Sequence, residues 1–169
     1  MQDKLFNSVR AVNSLDETAI FNAVLTDKGL QKWILDLNRS QLFKGENSIG
    51  VSLRKIGGGY SFTTEFLNEG RVFTFNPKAG EYGKVEGGSK KKIAGQAPFL
   101  FDTFDYYVSY TIKLGNGFFR IDSDPIKDGE NLEDRFGDEL EGLQDQNLQK
   151  LIDVIRKKFI QETRTALAA

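Results

Sequence analysis

"DTFDYYVSYTIKLGNGFF", residues 102–119, holds two aspartates, six aromatic side chains and a Gly-Asn-Gly turn. Tyr106, Val108, Tyr110, Ile112 and Leu114 alternate with Tyr107, Ser109, Thr111 and Lys113. That period of two predicts a strand with one buried face. Asn116 and Gly117 supply the positive φ angles of a tight hairpin turn, and Phe118 to Asp122 returns as the partner strand. Pro125, which cannot donate to a ladder, closes the unit. The stretch therefore predicts a hairpin over 106–122, at the centre of a small antiparallel sheet that also takes in 71–75 and 99–101.

Helices are expected on either side of this sheet. Ser14 stands as an N-cap, with Asp16 and Glu17 in a first turn where they complement the helix dipole. Leu15, Ala19 and Ala23, then Leu30, Trp33, Ile34 and Leu37, recur at helical spacing. Thr26, Asp27 and Gly29 divide the run into two helices, with Thr26 or Asp27 capping the second. Three successive glycines at 57–59 exclude a helix interior there, and a short helix is expected after Ser61. A short helix at 132–136 stops at Gly137. Beyond it Leu148, Leu151, Ile152, Ile155 and Phe159 mark one face of a long amphipathic helix capped by Asp145 and packed on the sheet. The fold class is α+β, in a single domain spanning 1–169.

Composition removes several kinds of chemistry. The 169 residues include no cysteine and no histidine. Thiolate nucleophiles, disulfides, Ser-His-Asp and Cys-His pairs and the usual zinc ligands are thereby excluded, and no cofactor or metal is expected. A net charge of -1 gives no overall attraction to nucleic acid or to a membrane. The opening "MQDKLFNSVRAVNS" spreads Asp3, Lys4 and Arg10 among its apolar residues, unlike a secretory signal, and no apolar run is long enough to span a bilayer. Synthesis in the cytoplasm is expected. Asp102 and Asp105 suggest a carboxylate pair, but aspartates entering a strand are accounted for by local Asx turns. Asp122, Asp124 and Asp128 lack calcium-loop spacing, since Ile126 sits where an oxygen ligand is required.

Residues 68–98 read as an extended Gly/Lys-rich loop or arm that buries little. Its lysines fit no phosphate-loop pattern. Most of the fourteen phenylalanines and five tyrosines belong to the core. The arm supplies the candidate partner-interface residues: Arg71, Phe73, Phe75, Tyr82, Lys90, Lys91 and Lys92. The same lysines allow a non-specific DNA contact.

Four strings, "LNRSQLFKGENSIGVSL", "YSFTTEF", "AGQAPFLFDTFDYYVSY" and "FGDELEGLQDQNLQKL", occur in this order between Leu37 and Ile152. Together they resemble a family of small virion proteins of tailed bacteriophages and prophages of Bacteroidetes hosts. Its members read approximately L-N-x-x-x-Q-L-x-x-x-G-x-D-S, Y-S-x-x-T, D-T-G-D-F-Y-x-S-F and Y-G-D-x-I-x-G-L-T-x-x-N-L. Phe104 stands where that pattern has glycine, Asn47-Ser48 where it has Asp-Ser, and 68–92 reads as an insertion. The resemblance implies a non-enzymatic structural protein of the head-to-tail connector or tail-completion type. Such a protein is a ring-forming homo-oligomer in the virion, touching portal or adaptor and tail proteins, and its arm orders on assembly. The alternatives are a nucleic-acid-binding protein using Lys90–Lys92 and a hydrolase using Asp102 and Asp105.

Overall fold

The computed structural model describes residues 15–101, 105–127 and 129–168. Helix α1 (Glu17–Leu25) begins after Asp16, whose carboxylate accepts from the Ala19 amide at 2.9 Å. Asp16 is thus the cap and not a first-turn residue; Ser14 lies outside the described residues. Asp27 caps α2 (Lys28–Lys44) in the same manner, accepting from the Leu30 amide at 3.0 Å. The expected break between two helices falls at Thr26 and Asp27, and Gly29 sits within the first turn of α2. Most of α2 is covered: Leu30, Trp33, Ile34, Leu37, Leu42 and Phe43 are buried, and so are the polar Asp36, Asn38, Ser40 and Gln41. It is the post around which the remaining chain is wrapped.

Two short helices follow, α3 (Leu53–Gly57) and α4 (Phe62–Leu67), the latter beginning as expected after Ser61. A Cβ on Gly57 would lie 2.4 Å from the Phe136 ring, so glycine is what lets α3 approach that aromatic so closely.

The mixed class, the hairpin and the long last helix are as the sequence predicts, but the sheet is not continuous. It consists of three two-stranded antiparallel ribbons. Strand β1 (Phe73–Phe75) pairs with β2 (Gly88–Lys90), with Thr74 opposite Ser89. β3 (Thr111–Leu114) pairs with β4 (Phe119–Asp122), with Ile112 opposite Ile121, and β5 (Ile126–Lys127) pairs with β6 (Glu130–Asn131). Residues 99–101 form no strand. The expected strand over 106–114 is helical in its first half, α5 (Asp105–Ser109). Tyr106, Tyr107 and Tyr110 are all buried. They fall at i, i+1 and i+4, which a helix can place on one side and a strand cannot. The turn between β3 and β4 spans Gly115–Phe118, and Gly117 alone within it has a positive φ, of 77°.

The 68–98 segment buries far more than expected. Phe73, Phe75, Val85 and Lys92 are all inside, because β1 folds back on β2 and turns its two phenylalanines inward, Phe75 onto Phe43 of α2 and Phe73 onto Phe99 and Phe101. Phe43 meets Phe75, Phe99 and Phe101 at ring separations of 5.7, 5.3 and 5.6 Å. The buried apolar side chains form one cluster.

After α6 (Leu132–Phe136) and a 3-10 turn (Asp138–Leu140), the chain ends in α7 (Asp145–Ala168). Asp145 is its first residue, and the Gln144 carbonyl before it accepts from Asn147 and Leu148. This helix lies against α1 and not across the hairpin. Its inner line runs through Leu151, Val154, Ile155 and Lys158, rotated from the expected stripe, so Leu148 and Ile152 stay exposed. Among the described residues no helix is long and apolar enough to cross a membrane.

Candidate functional site

Three of the four strings converge on one buried amide cluster. Asn38 donates to the carbonyls of Leu140 and Gly142 at 3.0 and 2.7 Å. Gln41 donates to Gly142 at 3.1 Å and accepts from the Gln144 amide and the Asn147 side chain, each at 2.8 Å. Gln144 reaches Glu46 at 3.0 Å and the Asn47 carbonyl at 3.2 Å, while the Asn47 side chain accepts from Val51 at 2.8 Å. The Tyr110 hydroxyl donates to Tyr106 at 2.6 Å and lies 3.3 Å from the Leu140 carbonyl oxygen, and Arg39 donates to the Tyr107 carbonyl at 2.7 Å. Amides can satisfy a buried loop in this way because each is donor and acceptor at once. The cluster fixes the loop 137–144 to the post; it holds no nucleophile beside a base.

The candidate interface residues have divergent fates. Phe73 and Phe75 are core side chains and present no surface. Lys92 is buried, its ammonium 4.8 Å from the Phe73 ring centre and 5.7 Å from that of Tyr60. Lys90 lies over Phe43 and Phe99 and donates to the Lys44 carbonyl at 3.0 Å, where it satisfies the end of α2. Burial lowers its pKa, against the pull of Glu46. Arg71 stacks on Phe73 at 4.7 Å, and Lys91 is the exposed member of the lysine run. The positive segment is therefore largely spent on the chain's own aromatics.

Tyr82 belongs to a second polar junction. Its hydroxyl donates to Asp27 at 2.5 Å, Lys158 pairs with the same carboxylate oxygen, and the Lys158 ammonium lies 4.7 Å from the Tyr82 ring centre. The Lys158 hydrogen bond, then that of Tyr82, hold the Asp27 carboxyl well below the usual range. Burial works against the Lys158 charge, but the bonds to Asp27 and Tyr82 outweigh it and raise the pKa. An ion pair that also completes a helix cap ties three segments together and leaves no group poised to exchange a proton near neutrality.

A cleft of about 320 Å³ is lined by Tyr60, Ser61, Thr64, Lys92, Glu130 and Arg135 among others. Arg135 is paired with Glu130 at 3.2 Å and donates to the Gly57 carbonyl at 3.0 Å. The Ser61 and Thr64 hydroxyls bond to each other at 3.0 Å, and Ser61 accepts from the Thr64 amide as the α4 cap. Asp105 is exposed at the start of α5, and Asp102 lies outside the described residues.

The feature that sequence reading missed is not α4, which it expected, but the apolar face that α4 exposes. "YSFTTEF" closes a capped turn of helix whose Phe62, Phe66 and Leu67 are 83, 74 and 74% exposed. Phe62 and Phe66, one turn apart, share a face. Val72 and Ile93 are exposed as well. The signal was present in the sequence: three of the six helical residues, Phe62, Phe66 and Leu67, are large and apolar.

No protein-family model, curated protein or solved structure matches the chain.

Proposed function

We propose that this chain is a non-enzymatic building block of a tailed-bacteriophage particle, a ring subunit of the head-to-tail connector or tail-completion type. One observation carries the reading. The string "YSFTTEF", part of the resemblance, forms a helix that buries none of its own residues and holds out two phenylalanines and a leucine. Contiguous apolar surface of more than a few hundred Å² on a single chain marks an interaction site. Aromatic anchors of this kind carry a large share of binding energy at interfaces. The other strings supply the rigid body behind it, through the Asn38, Gln41 and Gln144 bonds.

Particles purified from a host that produces the corresponding phage are expected to contain this chain at a fixed copy number, measured by quantitative mass spectrometry. Deleting its gene is expected to leave filled heads without tails. Complete, infectious particles that lack the chain would remove the proposal.

A further inference from the structure

The chain that offers an apolar knob also carries a hollow. Gly29, Trp33, Ala79 and Tyr82 line a depression of about 180 Å³, with the Trp33 and Tyr82 ring centres 6.2 Å apart. A cavity of about 150 Å³ with apolar walls takes up a benzene molecule, so this one is of the size to seat a phenyl ring. Its charged rim is unequal. Lys32 is paired with Asp36, Glu81 lies 3.7 Å from Lys158, and Lys78 makes no ion pair among the described residues. The knob has the opposite bias: Glu65 accepts from the Ala94 amide at 3.1 Å, and Glu69, just past α4, is exposed and makes no ion pair among the described residues.

Knob and hollow cannot meet within one chain. The hollow includes Trp33 near the start of α2, whereas α4 follows Tyr60, whose ring stacks on Phe99, which in turn stacks on Phe43 near the end of α2. Ten helical residues separate Trp33 from Phe43, a rise of about 15 Å.

From this we infer that the occupant of the hollow is Phe62 or Phe66 of a second copy, in a head-to-tail contact that repeats from subunit to subunit. The inference rests on reading α4 as an assembly surface and names what it binds. A contact between two different patches generates a ring when the rotation closes and a filament when it does not. Pairing knob with knob would bring Glu65 and Glu69 of both copies together, whereas knob against hollow sets Glu69 toward Lys78.

Two surface variants separate the faces. F62S/F66S removes the knob and leaves the hollow; Ala79→Arg fills the hollow and leaves the knob. All three positions are exposed, so both variants are expected to melt at the wild-type temperature. In sedimentation velocity over a wide concentration range, the wild type is expected to associate reversibly and each variant to do so about 30-fold more weakly or worse. An equimolar mixture of the two variants keeps one intact contact and is expected to give a dimer and nothing larger. A wild type that stays monomeric, a variant that associates like the wild type, or a mixture no heavier than its components each overturns the contact. None of these results alters the copy number in particles, which tests the broader reading.

Discussion

Lys158 of the last helix and Asp27, the cap of the central one, are 131 residues apart in the chain and form an ion pair. Asp27 completes the α2 cap with one carboxylate oxygen and receives Lys158 and Tyr82 on the other. Lys158→Met is expected to cost about 1.5–3 kcal/mol, the range for a hydrogen bond to a charged group. Asp27→Ser, which retains a capping oxygen, should cost less than Asp27→Ala by about 1 kcal/mol. Equal losses in urea unfolding for Ser and Ala would dismiss the cap.

This junction also sets a pH dependence. The folded Asp27 pKa lies below its unfolded value near 3.9, so its contribution is complete above about pH 5 and is lost progressively as pH falls from there. Lys158 has a raised folded pKa, so its contribution holds below about 10.4 and is lost as pH rises beyond. The stability difference between wild type and Lys158→Met should narrow at both extremes. A gap that stays constant from pH 7 to pH 2 would contradict the assignment.

Burial, before any other cause, pushes the Tyr106 hydroxyl up to about 12 and those of Tyr107 and Tyr110 well above 10. Raised folded values mean that these groups favour the native state up to about pH 10 and oppose it above. Tyrosinate absorbance should therefore appear for these three only together with loss of the native circular dichroism. Smooth titration of all five tyrosines in the folded protein would refute the buried arrangement.

Asn38 is wholly buried and serves two carbonyls. Asn38→Leu strands both, and a cost of about 3 kcal/mol is expected in chemical denaturation. A loss under about 0.5 kcal/mol would mean that the 137–144 loop is held by other means.

Gly57→Ala would press a methyl group into Phe136 and is expected to cost about 1–3 kcal/mol. Phe136→Leu, destabilising alone, should be less so in the Gly57→Ala background. Additive losses would show that the two sites do not touch.

Local signals in the sequence were reliable. The break at Thr26–Asp27, the Ser61 helix and the amphipathic last helix depend on caps and spacing within one turn or two, and the structure retains them. The tyrosine segment misleads because Tyr106 and Tyr110 fit a period of two as well as a helical turn; Tyr107, between them, settles the matter by also being buried. The glycine-rich segment misleads in the other direction. Few of its residues are apolar, but Phe73, Phe75 and Val85 are enough to anchor a strand pair on α2. The amides of Asn38 and Gln41 gave no sign of their role, since their carbonyl partners lie more than 100 residues downstream.

The wrapping of α2 has a bearing on how the chain is made. At about 5–20 residues per second, Lys158 leaves the ribosome's active site on the order of 10 s after Asp27. For most of that interval Asn38 and Gln41 have no downstream carbonyls to bond, and the apolar sides of α2 lack much of their cover. Native folding therefore waits for the carboxyl-terminal helix, and truncations before Asp145 should emerge as clients of holding chaperones instead of as smaller folded proteins.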